Sequence, residues 1–417
     1  MSSDNAMTET DLLHRILTFT PELAAPLVKY LKIDVDISID SLDKLNTARY
    51  IVDYARKMGG HELANLVRKE GVSYSELVYD VGKKLKVPDI TEQNSVLCNE
   101  ELILSKVFGD AFDRMSAAER IPVLDSIGLK NGDVPVGAAG AIIAQLVLKQ
   151  FGGFGIYRMS VVVANIIARA LLGSGLSFAA NAMITRTLGA LLGPVGWVAS
   201  GAWFANDLAG PAYRKTIPFV IHFAALRQLI RQQINICVTG DASTGKDAMM
   251  RQVFGIPGNI SPVAGATGQI ESHQLKNGET IWVHNLPGFN DPHAIINQHT
   301  SDFLHVADTL LVVVDLNRGI SDVDIQVVKQ ITAAAPGKPL LICLNKVDLL
   351  RPDVDISELE RVAKKRLGDY PMIRTAFDPD PRLGQTPLGA HDIFVWICDQ
   401  LEASGKDVSQ LRTLGLQ

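Results

Sequence analysis

The stretch of sequence that decides the fold runs from Ile234 to Asp247 and reads INICVTGDASTGKD. Its first half carries β-branched apolar residues in a run that predicts a buried parallel strand. The run breaks at Gly240 into a short polar loop, and apolar residues with helical spacing follow Lys246. A loop of this kind surrounds phosphate oxygens with backbone N–H groups, while the helix N-terminus and the lysine add positive charge. The stretch therefore predicts a phosphate-binding loop of the pattern G-x-x-x-x-G-K-[ST].

This phosphate-binding loop departs from the pattern at its last position, where Asp247 replaces Ser or Thr. We assign to the loop, as nucleotide-contacting residues, Gly240, Asp241, Ala242, Ser243, Thr244, Gly245, Lys246 and Asp247. The lysine is expected to reach the outer phosphates and to take part in catalysis.

Length, charge and cysteine usage bound the class of protein. The chain has 417 residues, enough for two or three domains, and a formal net charge of −5, which gives no basic footprint for nucleic acid. Its four cysteines lie far apart without a C-x-x-C pair, so reduced thiols are favoured over a disulfide or zinc site. The polar, acidic start lacks the pattern of a signal peptide. We therefore expect a cytoplasmic protein.

Residues 1–134 have the pattern of an all-α domain. Apolar residues recur at helical spacing, and Ser73 with Glu76 and Ser116 with Glu119 have the spacing of capping boxes. No residue in this segment has the pattern of a catalytic group.

Residues 135–231 form an apolar segment rich in Gly and Ala. The run from Thr187 to Asn206 carries no charged residue and, at roughly 20 residues, is just long enough to span a bilayer. Gly193-Pro194 and neighbouring glycines would break a continuous helix, and flanking basic clusters are missing. Two interpretations stay open: a tightly packed soluble helical segment, or a helical hairpin that inserts into or lies on a membrane. We expect a membrane or protein partner to bind, if one does, through residues 135–225, with peripheral attachment at the inner membrane.

Three motifs in the first half carry a family resemblance. Asp80–Val87 (DVGKKLKV), Gly210–Pro218 (GPAYRKTIP) and Ala224–Arg227 (AALR) resemble segments of the YaaW-type family of bacterial proteins. The resemblance extends to about Arg231 and implies a bacterial source and a shared helical unit. It implies no activity.

From Gln232 onward the pattern changes to alternating strands and helices. Strands are predicted at 270–275, 280–284, 309–314, 339–344 and 372–376, with helices beginning near Ser321, at the capping box Ser357–Glu360 and near His391. Asn277-Gly278 predicts a tight turn that makes the first two of these strands an antiparallel hairpin. We thus predict an α/β domain at 232–403, with a mostly parallel sheet and one antiparallel edge hairpin, and a C-terminal tail at 404–417.

A second motif, Asn345-Lys346-Val347-Asp348, follows a predicted buried strand. It resembles the N-K-x-D element of P-loop GTPases, and the layout of the domain resembles their Era-like branch. An aspartate here accepts hydrogen bonds from the N1–H and the exocyclic amine of guanine, whereas adenine offers neither donor in that arrangement. Lys346 would cover the base and Asn345 would brace the loop. The resemblance implies GTP or GDP as ligand, together with Mg²⁺.

Three weaker elements follow in the order that this family implies. Asn285-Leu-Pro-Gly288 resembles the D-x-x-G element, whose glycine N–H would contact the γ-phosphate. Thr267 is the candidate switch threonine that would reach magnesium, although an ordinary loop threonine fits nearly as well. Thr375-Ala376 resembles the S-A element, whose backbone contacts guanine O6. Lys246, Thr267 and Gly288 are therefore the candidate catalytic residues.

The candidate metal ligands are Asp247, Thr267 and Asn285, and two of them depart from the family pattern. A hydroxyl ordinarily follows the loop lysine and ligates Mg²⁺, and the D-x-x-G aspartate holds a metal-bound water. Here Asp247 adds a negative charge at the first position and Asn285 removes one at the second. Either the exchange conserves the charge of the site, with Asp247 as a direct ligand, or the added carboxylate repels phosphate and weakens binding.

The resulting functional hypothesis is a GTP-binding switch that acts through the helical first half. The alternative is a pseudo-GTPase, in which nucleotide is structural or absent and the helical half binds partners or a membrane. His293, His299 and His305 lack a metal-ligand pattern and are interpreted as surface or switch-region residues.

Overall fold

The computed structural model describes residues 8–19, 21–33, 43–59, 71–129, 134–135, 137–172, 213–257, 270–275, 280–286, 303–380, 382 and 385–414. The chain divides into two units, residues 1–232 and 233–417.

The described part of the first unit is helical. Its helices are α1 (Glu9–Phe19), α2 (Ala25–Leu31), α3 (Lys44–Gly59), α4 (Tyr74–Lys84), α5 (Val96–Asp113), α6 (Ala117–Ser126), α7 (Gly140–Leu172) and α8 (Tyr213–Gln232). Both predicted helix starts are found. The Ser73 side chain accepts the N–H of Glu76 at 3.1 Å, and the carboxylate of Glu119 accepts the N–H of Ser116 at 2.7 Å. One hydrophobic core extends from α1 to α8, so residues 1–134 and 135–231 contribute to the same unit.

Helix α7 carries most of the apolar character of the described middle region. The stretch Gly140–Arg169 is long and apolar enough to cross a membrane by length and composition, yet 78% of its most apolar window is buried inside the protein. A buried core helix of a soluble protein meets the same criterion. The helix is kinked at Gly152, where φ is 54°. The run Thr187–Asn206 lies outside the described residues.

A buried polar cluster joins α4, α5 and α8 in this unit. The Glu100 carboxylate, which is 0% exposed, accepts the Tyr74 hydroxyl at 2.8 Å and faces the Arg227 guanidinium at 2.8 Å. Burial raises the pKa of Glu100 to about 7, although the attraction of Arg227 lowers it. The cost of removing both charges from water offsets much of the attraction between Glu100 and Arg227.

The cluster predicts how the stability of the helical unit depends on pH. Because the pKa of Glu100 in the folded state lies above its value near 4.5 in the unfolded chain, ionisation costs more in the fold. The contribution of Glu100 is present below pH about 4.5 and is lost as pH rises through about 7. Glu100→Gln should remove this loss of unfolding free energy, which amounts to about 3 kcal/mol between pH 4.5 and 8. Urea unfolding followed by circular dichroism between pH 4.5 and 8 measures it.

The matched control for this prediction is Glu92→Gln, because Glu92 is an exposed glutamate of the same unit. It should leave the pH slope unchanged. Identical slopes for wild type and Glu100→Gln would show that Glu100 does not titrate in this range.

The second unit is built on a six-stranded sheet of order β2-β3-β1-β4-β5-β6. The strands are β1 (Ile234–Gly240), β2 (Glu271–Gln274), β3 (Ile281–Asn285), β4 (Thr309–Asp315), β5 (Leu340–Asn345) and β6 (Met372–Arg374). Among the six strands described, β2 and β3 pair antiparallel and every other neighbouring pair is parallel. The predicted fold class is confirmed: a helical first half and an α/β second half with one antiparallel hairpin.

Helices cover both faces of this sheet. They are α9 (Lys246–Phe254), α10 (Asp322–Ala334), α11 (Ile356–Leu367), α12 (Ala390–Ala403) and α13 (Ser409–Leu414). Two hydrophobic cores result, one containing side chains of α9 and α12 and the other containing side chains of α10 and α11. Strands β1, β4 and β5 are buried along their whole length, as parallel central strands require.

Helix α11 begins differently from the prediction, and the predicted capping box at Ser357–Glu360 is wrong. The N-cap is Asp355, whose carboxylate accepts the N–H of Ser357 at 2.9 Å. Glu360 instead forms a bidentate ion pair with Arg374 at the end of β6, with Nε–Oε1 at 2.6 Å. The helix therefore starts two residues earlier, because the aspartate satisfies its first N–H groups.

The predicted C-terminal tail is part of the second unit as far as residue 414. Val408 and Leu411 are buried in the core that contains α12. Lys406 donates from Nζ to the carbonyl of Gln233 at 2.6 Å and pairs with Asp308 at 3.3 Å. Assignment of 404–417 as a separate tail missed these contacts, in which Lys406 precedes α13 and Gln233 precedes β1.

Candidate nucleotide-binding site

The predicted site residues meet at the carboxyl ends of four neighbouring strands. Strand β1 ends at Gly240, β3 at Asn285, β4 at Asp315 and β5 at Asn345. Asp315 lies opposite Asn345 in the register of β4 and β5, and Val238 lies opposite Asn285 in that of β1 and β3. This edge is where ligands bind in open parallel α/β sheets.

The loop after β1 has a backbone conformation that its glycines allow. Gly245 has φ of +99°, and a Cβ at this position would lie 2.3 Å from Nδ2 of Asn345. A Cβ at Gly240 would lie 2.3 Å from the carbonyl oxygen of Val313. Ser243 also has positive φ, and Ala242 donates its N–H to Oδ1 of Asp241 at 2.8 Å. The close approach of the β4 backbone and of Asn345 explains why both pattern glycines are required.

Gly245→Ala should both destabilise the second unit and weaken nucleotide binding. Positive φ costs a non-glycine residue about 1–2 kcal/mol, and displacement of the Asn345 amide costs about 1 kcal/mol more. We expect GDP affinity to fall at least about tenfold. Thermal unfolding and a GDP titration measure the two effects.

Gly255→Ala is the matched control, since Gly255 also has positive φ but meets no atom within 4 Å at its Cβ position. It should carry the backbone cost alone and keep GDP affinity. Equal effects of the two substitutions on GDP binding would contradict the geometry described here.

The Lys246 side chain folds back over the loop that precedes it. Its ammonium donates to the carbonyls of Gly240 at 3.2 Å and Asp241 at 2.9 Å, and the residue is 8% exposed. The Thr244 hydroxyl donates to the same Asp241 carbonyl at 3.0 Å. The loop therefore holds a positive charge beside its own N–H groups, where phosphate oxygens would be expected to bind.

Asn345 connects the phosphate-binding loop to the end of β6. Its Nδ2 donates to the Thr244 carbonyl at 2.8 Å, and its Oδ1 accepts the Thr375 hydroxyl at 3.2 Å and the Phe377 N–H at 3.3 Å. Asn345 is buried. It occupies the bracing position that the motif predicts.

Lys346 is held against the phosphate-binding loop as well. It has left-handed backbone geometry, and its Nζ contacts the Ser243 carbonyl at 2.8 Å and Oδ2 of Asp315 at 2.6 Å. Asp348 follows in the short 3₁₀ turn Val347–Leu349 and is half-buried. Within the described part of the chain, its carboxylate has no hydrogen-bond or ion-pair partner, which suits an acceptor for a ligand.

The residues Thr375 and Ala376 lie beside this loop, with one difference from the prediction. Thr375 is buried and bonded to Asn345. The Ala376 N–H donates to the carbonyl of Leu388 at 3.2 Å. A contact from this N–H to guanine O6 would therefore require that bond to open.

The two residues that depart from the family pattern contact each other. Nδ2 of Asn285 donates to Oδ1 of Asp247 at 3.1 Å. Asn285 is 1% exposed, and its Oδ1 has no hydrogen-bond partner among the residues that the structure describes. Thr267 and Gly288 lie outside the described residues.

This pair fits magnesium by the chemistry of its donors. A carboxylate and an amide oxygen are hard ligands, and Mg²⁺ is ordinarily held by one or two carboxylates plus waters and phosphate oxygens. In the described ranges no group of three or more His, Cys, Asp or Glu residues could hold a metal alone. When bound, the ion would neutralise charge on the phosphates. Asp247 and Asn285 would hold it.

Sequence reasoning missed two residues of the site, Asp315 and Arg318. Besides pairing with Lys346, Asp315 accepts the backbone N–H of Arg318 through Oδ1 at 3.1 Å. The Arg318 guanidinium pairs with Oδ2 of Asp241 at 3.0 Å. The acidic end of a predicted buried strand was the available signal for Asp315. Nothing local to Arg318 indicated its partner, which lies 77 residues away.

A family model described as a 50S ribosome-binding GTPase matches residues 235–346. The match begins in β1 and ends at Lys346, so it spans the phosphate-binding loop and the first two residues of the second motif, and Asp348 lies two residues beyond it. It places a P-loop GTPase domain in the second half of the chain.

Bacterial proteins of the UPF0174 family are similar in sequence to the helical first half. A UPF0174 protein of Helicobacter pylori is 39% identical over 193 residues, which cover 46% of this chain and 75% of the relative. The UPF0174 protein YaaW of Escherichia coli is 24% identical over 172 residues, which cover 41% of this chain and 67% of the relative. The predicted resemblance of the first half is confirmed.

A crystal structure of a variant of Era from Aquifex aeolicus bound to GDP.AlF4- is similar to part of the chain. The identity is 20% and the TM-score 0.30, over 34% of this chain and 50% of that chain. The chain thus spans about half the length of this solved structure.

Proposed function

We propose that this chain, which belongs to the UPF0174 family and carries a P-loop GTPase domain in its second half, is a guanine-nucleotide switch. One observation supports this most strongly. The two residues that begin the N-K-x-D element each donate to a carbonyl of the phosphate-binding loop, Asn345 to Thr244 and Lys346 to Ser243. Base recognition and phosphate recognition would therefore act as one rigid site.

In this proposal each residue has a distinct part. Lys246 and the N–H groups of the loop bind the phosphates, and Asp348 reads guanine. Magnesium is held by Asp247 and Asn285, with Thr267 as a further ligand. Gly288 contacts the γ-phosphate. Because Asn285 leads directly into the segment that contains Gly288, γ-phosphate would bias this segment, and the helical half would respond.

Hydrogen exchange of the full chain tests the switch. The exchange of wild type saturated with GDP would be compared with that of wild type saturated with a non-hydrolysable GTP analogue, with Mg²⁺ present in both samples. We expect the two states to differ in peptides of the helical half, for example in α5 and α8, as well as in the second unit. Lys246→Ala should show neither difference. Differences confined to residues 233–417 would contradict action through the helical half.

A pseudo-GTPase is the second candidate, because Asp247 stands where a metal-ligating hydroxyl is expected. Single-turnover GTP hydrolysis separates the two. Slow turnover that Lys246→Ala abolishes supports a switch, whereas tight binding without turnover supports a structural nucleotide.

We further propose a cytoplasmic location with peripheral attachment at the inner membrane, on the basis of the uncharged run Thr187–Asn206. Flotation of the full chain with liposomes tests it. Protein that stays in the soluble fraction with and without nucleotide would contradict attachment.

A further inference from the structure

We infer that Asp247 and Asn285 form part of a magnesium site in which the negative charge has been transposed from position 285 to position 247. Asp247 supplies the carboxylate that binds the ion directly, and the amide oxygen of Asn285 accepts a hydrogen bond from a metal-bound water. The inference rests on the proposed function, since the ion is the one that accompanies the nucleotide.

The two residues are brought together by the topology of the sheet. Asn285 is the last residue of β3 and lies opposite Val238 on β1, two residues before the phosphate-binding loop begins. Asp247 is in the first turn of α9, on the other side of that loop. Their side chains meet at 3.1 Å although 38 residues separate them. The two residues that depart from the family pattern are therefore in direct contact with each other.

The hydrogen bond fixes the orientation of the Asn285 amide. Because a carboxylate only accepts, the Asn285 group that faces Oδ1 of Asp247 is the NH₂ group. The amide oxygen is then directed away from that carboxylate oxygen. It is buried and has no partner in the described part of the chain, a costly state that a donor on a metal-bound water would relieve.

The charge of the site is conserved by this exchange. The usual hydroxyl and carboxylate carry one negative charge, and the Asp247 carboxylate and Asn285 amide also carry one. The charge has moved into the first turn of α9, where the helix dipole and the neighbouring Lys246 favour an anion. An aspartate at position 285 would instead oppose a second carboxylate, so the asparagine is what permits Asp247.

A site with the charge at position 247 should make GDP affinity depend strongly on Mg²⁺. Without a divalent cation the Asp247 carboxylate would face the phosphates and repel them. With Mg²⁺ the same carboxylate would bind the ion that bridges to the phosphates. GDP affinity of the wild type should therefore fall strongly, by about 100-fold, when Mg²⁺ is replaced by EDTA.

The experiment measures the dissociation constant of GDP in Mg²⁺ and in EDTA for four full-length proteins: wild type, Asp247→Ser, Asn285→Asp, and the double variant. Asp247→Ser should lose most of the Mg²⁺ effect, to within about threefold, because no charged ligand remains. Asp247→Ser with Asn285→Asp should regain it, because the double variant restores the usual ligands. Electron paramagnetic resonance of bound Mn²⁺ gives a second readout, with metal retained in the double variant and released in Asp247→Ser.

A matched control and the overturning results complete the test. Asp322→Ser removes an aspartate from the first turn of α10 and should leave the Mg²⁺ effect unchanged. Thermal unfolding checks that each variant is folded. Wild type that binds GDP equally with and without Mg²⁺, or Asp247→Ser that keeps the full effect, would overturn the inference and leave the proposed function standing. Failure of wild type to bind GDP in either condition would overturn both.

Discussion

Replacing Lys246 by alanine is expected to weaken binding of GDP and GTP by at least about 100-fold. The Lys246 ammonium lies within 3.2 Å of two carbonyls of the phosphate-binding loop and is almost fully buried there. Charge-assisted bonds to phosphate oxygens are among the strongest polar contacts a protein makes, and loss of the charge leaves only backbone N–H groups. Titration of a fluorescent GDP analogue measures the change.

Lys329→Ala is the matched control, since Lys329 is exposed on α10 in the same unit. It should bind GDP as the wild type does. Because Lys246 also bonds to its own loop, thermal unfolding of both variants establishes that the second unit is folded. An affinity of Lys246→Ala within threefold of wild type would remove this lysine from the phosphate site.

Asp348→Asn should exchange guanine preference for xanthine preference. The Asp348 carboxylate is half-buried and has no partner in the described ranges, so it is available to two donors of one base edge. An asparagine presents one acceptor and one donor. The donor opposes the exocyclic amine of guanine but complements the carbonyl at that position of xanthine. We expect GDP affinity to fall about 100-fold and affinity for xanthosine diphosphate to rise about tenfold.

Asp353→Asn serves as control, because Asp353 is an exposed aspartate five residues further along the chain. It should change neither affinity. A parallel loss of both nucleotides in Asp348→Asn, with xanthosine diphosphate no better than GDP, would indicate that this residue supports the loop rather than reads the base.

Local patterns in the chain were sufficient to predict the sheet and the order of its motifs. Buried strands show as short β-branched runs, and a strand followed by a glycine loop and Gly245-Lys246 has few alternative structures. The Asn345 brace was predictable for a related reason, because the carboxyl ends of β1 and β5 lie at the same edge of a parallel sheet, separated by β4 alone. These features follow from residues near one another in sequence or from the fixed geometry of a parallel sheet.

Contacts between distant side chains were not predictable in the same way. Asp315 holds Lys346, and Glu360 pairs with Arg374 instead of capping its own helix. Ala376 gives its N–H to Leu388. Each of these depends on which side chain the fold places opposite, and local spacing carries no such information. The Asp247–Asn285 contact belongs to the same class, although its two members were each recognised as departures.

Burial in the hydrophobic core places residues 404–414 in the second unit, beyond the predicted limit at residue 403. Residues 404–414 have little local pattern of a domain element, yet Leu411 is buried and Lys406 reaches the residue before β1. Whether a short terminal helix is buried depends on the surface against which it packs and not on its local sequence pattern. Thr267 and Gly288, the remaining candidate catalytic residues, stay predictions.

The central claim is that one rigid site in the second unit recognises guanine and phosphate together. The measurement that tests it most directly is an equilibrium titration of the full-length wild type with GDP and with ADP in millimolar Mg²⁺. The site described here predicts one GDP bound per chain, with ADP at least about 100-fold weaker. Equal affinities for the two nucleotides, or no binding of GDP at millimolar concentration, would contradict it.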